Sequence, residues 1–191
     1  IIWRDLNRLG DTQQTTQDLS TLADACIEHT LHWLYQDFIT DVGVPHGSCE
    51  QKNKPQKMVV LAMGKLGAGE LNLSSDVDLM FTYPDQGETL GGRRTLSNQE
   101  FFIRLGQRLI KVLDVRTSDG FVFRVDMRLR PYGSSGALAM SFSAMEQYYQ
   151  DQGRDWERYA MIKARTITGT QEEGGSLLER LRPFVYRRYL D

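Results

Sequence analysis

The chain has 191 residues, of which 40% are hydrophobic and 25% charged, with a formal net charge of −2 at neutral pH. That is long enough for one domain, or one domain with a helical annex, and apolar enough to bury a sizeable core. A near-neutral balance provides no global field to attract nucleic acid or an anionic membrane, so any basic site must be local.

No apolar run approaches the roughly 18 residues of a membrane span, and no signal peptide is visible. Cys26 and Cys49 lack metal-ligand spacing and read as free thiols of a reducing cytoplasm. The opening Ile1-Ile2-Trp3, and a last stretch (Tyr189-Leu190-Asp191) that falls inside a helical pattern, point to a piece of a longer protein.

Leu19, Leu22, Ala23, Cys26, Ile27, Leu31 and Leu34 recur at three- and four-residue spacings and predict a helix over 17–40. Residues 43–57, with Gly43, Pro45, Gly47 and Pro55, read as a polar loop. The apolar run Lys57–Met63 predicts a buried strand, Gly64–Gly69 a glycine-rich turn, and Val77–Tyr83 a second strand. Residues 84–94 read as an exposed loop. Phe101, Phe102, Leu105, Leu109, Ile110 and Leu113 mark a long amphipathic helix over 97–114.

Strict alternation makes Phe121–Leu129 a third strand. A helix over 141–151 is capped by Ser141 or Ser143, and helices follow over 154–165 and 174–190. Strands and helices alternate in the middle, with helices at both ends. The expected fold is α+β: a small mixed sheet with helices packed on it. The expected parts are a helical extension (1–56), a core (57–140) and a C-terminal helical segment (141–191).

The chemistry concentrates in Ser74-Ser75-Asp76-Val77-Asp78-Leu79-Met80-Phe81. Residues two apart on a strand share a face, so Asp76 and Asp78 project together with Cα atoms about 7 Å apart. Val77, Leu79 and Phe81 turn into the core. Two carboxylates on one open face repel unless a cation lies between them. Mg²⁺ suits that place, because it takes carboxylate oxygens and keeps positions for substrate phosphates. Standing alone, an Asp-x-Asp is equally a strand end with two solvated aspartates.

The turn Met63-Gly64-Lys65 precedes it, and Gly67 and Gly69 allow close backbone approach to a phosphate. It lacks the Gly-Lys-Ser/Thr ending of a Walker loop and the order of a dinucleotide fingerprint. The third element, Arg124-Val125-Asp126-Met127-Arg128-Leu129-Arg130, alternates so that the three arginines and Asp126 share one face. This is either a structural ion-pair ladder or a third metal carboxylate beside a phosphate-clamping Arg128 or Arg130. Gly133-Ser134-Ser135-Gly136 could close over the phosphates. Three carboxylates on neighbouring strands can hold two metals about 4 Å apart for an in-line displacement at phosphorus.

A strand, a glycine turn, a spacer and Asp-x-Asp on the next strand resemble the nucleotidyltransferase superfamily that includes DNA polymerase β. Lys65 departs from it, standing where Ser or Gly is usual. Longer motifs narrow the resemblance. These are Gly64-Lys65-Leu66-Gly67, Glu70-Leu71, Ser75-Asp76-Val77-Asp78-Leu79, Val125-Asp126-Met127-Arg128-Leu129-Arg130-Pro131, and the run from Gly153-Arg154-Asp155-Trp156 to Lys163-Ala164-Arg165. Over about residues 57–170 the chain is similar to the bifunctional glutamine synthetase adenylyltransferase/adenylyl-removing enzymes.

That family carries two nucleotidyltransferase domains. One attaches AMP from ATP to a glutamine synthetase tyrosine, and the N-terminal one removes it by phosphorolysis, releasing ADP. Asp76-Val77-Asp78, Val125-Asp126-Met127-Arg128 and Gln152-Gly153-Arg154 resemble the adenylyl-removing half.

The resemblance implies Asp76, Asp78 and Asp126 as catalytic and metal residues, with Mg²⁺ as cofactor. Gly64, Lys65, Gly67, Ser75, Arg128 and Arg130 are the candidate nucleotide and phosphate contacts. The implied partners are glutamine synthetase, phosphate and ADP/ATP, with a PII signal protein and glutamine acting through the full-length enzyme. Adenylylation from ATP, or a non-catalytic nucleotide- or regulator-binding module, are the alternatives. A template-directed polymerase lacks the basic, aromatic-studded surface it would need.

Trp156, Tyr159 and Met161, near helical spacing, are expected in the core. Glu157, Lys163 and Arg165 are placed either near the site or on solvated faces. His29, His32 and His46 form no ligand set with the aspartates.

Overall fold

The computed structural model describes residues 1–49, 52–169 and 171–186. The helices α1 (Ile2–Leu6) and α2 (Thr12–Val42) lead into strand β1 (Gly43–Gly47). Then come β2 (Val59–Ala62), the single helical turn α3 (Gly64–Gly67), β3 (Val77–Tyr83) and β4 (Gly87–Gly91). Helix α4 (Asn98–Asp114) is followed by β5 (Val125–Asp126), β6 (Ala139–Ser141), α5 (Phe142–Asp151), α6 (Asp155–Met161), β7 (Arg165–Thr166) and α7 (Gln171–Val185). The expected helix over 174–190 is present to Val185; residues 187–190 lie outside the described ones.

The main sheet runs β5-β3-β2-β7, with β6 also paired to β3. Strands β2 and β3 are antiparallel, while β5 and β6 follow one another parallel to β3. Period-two alternation divides the sheet's side chains between two cores. Val60, Ala62, Val77, Leu79 and Phe81 face α2 and α4. Val59, Leu61, Met63 and Met80 face α5, α6 and α7. A small mixed sheet covered by helices is the α+β arrangement expected of a polymerase β-like nucleotidyltransferase core.

The helix caps follow the sequence. Asp11, Ser97 and Ser141 accept hydrogen bonds from the amides of Gln14, Glu100 and Ala144.

Four expectations are corrected. Residues 43–57 and 84–94 are not wholly loop, because β1 and β4 pair antiparallel from Gly43↔Gly91 to Gly47↔Gly87. A Cβ on Gly43 would lie 2.3 Å from the Leu90 carbonyl oxygen, and one on Gly87 2.0 Å from that of His46. The glycines and Pro45 that argue against strands are what let this ribbon close.

The third strand is two residues long rather than nine. The Val122 and Phe123 amides donate instead to the Leu113 carbonyl at the end of α4. Beyond Asp126 the Arg128 amide turns back onto the Asp126 carboxylate.

The helix expected over 154–165 stops at Met161, and Arg165–Thr166 joins the sheet beside β2. Finally, Trp156 and Tyr159 are exposed (49% and 62%), whereas Met161 is buried. Glu157 takes the inner face in their place, accepting hydrogen bonds from Tyr148 Oη and the Arg154 amide, both at 2.8 Å.

Candidate active site

The acidic end of β3 lies where buried strand gives way to solvent. Leu79, Met80 and Phe81 are fully enclosed, so the backbone that carries Asp78 is fixed by packing on both faces. Asp76 sits one residue before the strand, and its neighbour Val77 donates its amide to the Arg124 carbonyl at 2.8 Å, which prolongs the pairing toward β5. Parallel register then sets Asp78 directly beside Asp126. Asp76 shares the strand face of Asp78. The three carboxylates predicted from sequence are thus brought to one end of the sheet.

Their electrostatics follow from this proximity. Burial pushes the Asp78 carboxyl above the ordinary carboxylate range, and the negative charges of Asp126 and Asp76 push it further the same way. Asp126 moves oppositely, because hydrogen bonding from the Arg128 side chain holds it below the usual range. Arg128 grips Asp126 with Nε at 2.8 Å and Nη2 at 2.5 Å from Oδ2, and its amide donates to Oδ1 at 2.8 Å. Arg124 Nε donates to Asp76 Oδ1 at 2.5 Å, and its Nη2 donates to the Ser74 carbonyl.

The remaining candidates divide by role. Gly64 runs against the carboxylate: its φ is +55°, and an added Cβ would lie 2.5 Å from Asp78 Oδ2. Lys65 Nζ donates to Ser75 Oγ at 3.2 Å, and Ser75 Oγ donates to Asn72 Oδ1 at 2.7 Å, forming a polar chain beside Asp76.

Gly67 is a packing residue. Its amide donates to the Met63 carbonyl, and a Cβ there would fall 2.1 Å from the Lys163 carbonyl oxygen. Arg130 is committed to its own loop, donating to the carbonyls of Met127, Ser134 and Gly136 at 2.7, 3.1 and 3.2 Å. It shapes the Gly133-Ser134-Ser135-Gly136 segment, while its charge also helps to hold the Asp126 carboxyl low.

Lys163 pairs with Glu70 and Arg165 with Asp24, so both brace the glycine turn from outside. Sequence reasoning missed Arg124 as the partner of Asp76. The available signal was its place two residues before Asp126 in the alternating row.

All-oxygen donors, like charges in register and a raised carboxyl at their centre fit a hard divalent cation. Among the described residues, no three His, Cys, Asp or Glu side chains already stand together as a metal cage. No helix among the described residues is long and apolar enough to cross a membrane.

The glutamate-ammonia ligase adenylyltransferase family matches residues 1–180. The bifunctional glutamine synthetase adenylyltransferase/adenylyl-removing enzyme of Pseudomonas syringae pv. tomato is 66% identical over all 191 residues, and that of Pseudomonas aeruginosa 65%. The enzyme of the same name from Hahella chejuensis is 63% identical over the same length. The chain spans about a fifth of these relatives, 19–20% of their length. The chain belongs to the glutamate-ammonia ligase adenylyltransferase family.

Proposed function

We propose that this chain is a metal-dependent nucleotidyltransferase domain that removes AMP from the adenylylated tyrosine of glutamine synthetase by phosphorolysis. The observation that carries the reading is the register pairing of Asp78 with Asp126, with Asp76 on the same strand face. The substrate comes from the relatives' names, which pair adenylyl transfer with adenylyl removal on glutamine synthetase. The direction rests on the resemblance of Asp76-Val77-Asp78 and Val125-Asp126-Met127-Arg128 to the adenylyl-removing half of that family.

Asp76, Asp78 and Asp126 would hold Mg²⁺, which when bound supplies Lewis-acid neutralisation of phosphoryl oxygens. Gly64 keeps the backbone low beside Asp78, leaving the carboxylate face open. Lys65, now bonded to Ser75, and the exposed Arg128 would meet phosphate oxygens as charge-assisted donors.

In the reaction, an oxygen of monohydrogen phosphate attacks the adenylyl phosphorus. The bond from phosphorus to the tyrosine oxygen breaks, and the electron pair leaves on that oxygen. The proton of the attacking phosphate ends on the tyrosine, giving ADP and the free hydroxyl. Phosphate is already anionic at neutral pH, so positioning and charge neutralisation do most of the catalytic work. A PII signal protein would act through the remainder of a full-length enzyme.

The test incubates the chain with adenylylated glutamine synthetase, Mg²⁺ and phosphate. ADP should appear as AMP–tyrosine is lost; no ADP, with AMP–tyrosine intact, counts against the reading. The relatives' names also include adenylyl transfer, and labelling of unmodified glutamine synthetase from ATP would favour that direction instead.

A further inference from the structure

Resting on that reading of the carboxylates as a metal site, we propose that Arg124 and Arg128 are exchangeable internal counter-ions. Each holds one carboxylate in the metal-free protein, releases it when a divalent cation is taken up, and so frees a guanidinium for the substrate's phosphate.

Two of the three carboxylates already have a cation. Arg128 approaches both oxygens of Asp126, with Nε 3.1 Å from Oδ1 and Nε and Nη2 at 2.8 and 2.5 Å from Oδ2. Arg124 Nε lies 2.5 Å from Asp76 Oδ1. At Asp126 these contacts occupy both oxygens that a metal ion would need, so arginine and metal compete there; at Asp76 Arg124 takes one lone pair of Oδ1, and the competition is weaker. Asp78 lies between them, in register with Asp126.

The geometry also allows the exchange. Arg128 is 76% exposed while Asp126 is only 14% exposed, so the guanidinium covers the carboxylate from the solvent side and can swing away without repacking the core. Arg124 and Asp76 are similarly open, at 47% and 43%. The Arg124–Asp76 pair, open on both sides, is weak, whereas the Arg128–Asp126 pair sits on a covered carboxylate and gives way to the higher charge of a chelated divalent ion. On release, the Ser74 carbonyl and the Phe121 ring, 6.0 Å from Arg124 Cζ, keep that side chain close by.

Among the described residues, the Arg128 side chain makes no second hydrogen bond of this kind. Freed from Asp126, it stands as an unshielded fork at the mouth of the site, suited to a phosphate. Arg130, tied to three carbonyls, cannot substitute for it.

The consequence is a sign reversal that a purely structural arginine would not give. Arg128→Gln should bind Mn²⁺ more tightly in the absence of nucleotide, by roughly three- to tenfold, because a competitor has been removed. With Mn²⁺ present, the same variant should bind ADP several-fold more weakly. Arg124→Gln should shift Mn²⁺ affinity in the same direction by a smaller factor. Arg128→Lys keeps the charge without the fork and should fall between wild type and the Gln variant.

The experiment is calorimetric titration of the 191-residue chain with Mn²⁺, with and without ADP, beside melting curves in chelator and an Asp126→Asn control. If the Gln variants bind Mn²⁺ no more tightly than wild type, or ADP no more weakly, the exchange is refuted. If they melt lower and bind both ligands more weakly, the arginines are structural and the exchange is again refuted. If wild type binds no Mn²⁺, or Asp126→Asn binds it as wild type does, the metal-site reading fails and takes the exchange with it.

Discussion

Over seven residues, β3 passes from an acidic, solvent-facing end to one enclosed on both faces. At the enclosed end, Leu79 and Phe81 pack against α2 and α4, and Met80 packs against α5 and α7. At the open end, Asp78 lies in register with Asp126, beside Asp76 and under Gly64. The first environment is favourable by itself, since each large apolar side chain buried there contributes about 1.5–3 kcal/mol. The second is unfavourable by itself, since it gathers like charges and raises the Asp78 carboxyl. The contrast shows how one strand does two tasks: the packed half supplies the rigidity that holds the repelling half in place.

Substitutions at the two ends should therefore fail in different ways. The largest effect is expected at the open end. Asp76→Asn should lower phosphorolysis by about 10³-fold while leaving the melting temperature within a few degrees, as steady-state ADP release and calorimetry would show. At the enclosed end, Phe81→Ala should cost about 3–5 kcal/mol of stability in urea unfolding, because its ring lies between α4 and the sheet. Gly64→Ala, at the open end, combines both kinds of failure. It forces a side chain onto φ +55° and against Asp78 Oδ2, and should cost about 1–2 kcal/mol together with activity.

A smaller effect of opposite sign is expected at Asp78. A carboxyl whose pKa is raised in the folded state opposes folding once the pH exceeds its unfolded value. That penalty is fully present at neutral pH and disappears below the ordinary carboxylate range. Asp78→Asn should thus raise the metal-free melting temperature at pH 7 by roughly 1–3 °C, kept small by solvent screening, and lose the advantage near pH 4. Added Mg²⁺ should stabilise wild type and not this variant. The smallest effect is expected far from both ends, where exposed Trp156→Ala should stay within about 0.5 kcal/mol of wild type.

The same division governs what could be read from the chain. The buried half of β3, the amphipathic face of α4 and the cap Ser141 carry strong local signals, and Val77–Tyr83 matches its strand residue for residue. The aspartate trio was legible because period two puts Asp76 and Asp78 on one face, and the family motif adds Asp126. What escaped depends on long-range hydrogen bonding.

The alternation from Phe121 to Leu129 looks like a strand, but the free carbonyl of Leu113 takes the amides of Val122 and Phe123. The β1–β4 ribbon was hidden because its glycines serve close approach between backbones, which propensity counts against a strand. Glu157 displaced Trp156 from the interior because Tyr148 Oη and the Arg154 amide satisfy its carboxylate, and spacing alone cannot foresee those partners.

The most direct measurement is a crystal of the chain soaked in Mn²⁺, with anomalous scattering used to locate the ion. Peaks bounded by the carboxylates of Asp76, Asp78 and Asp126, with Arg128 moved off Asp126, are the expected result. Peaks only at other sites, with the Arg124–Asp76 and Arg128–Asp126 pairs intact at saturating Mn²⁺, would contradict it.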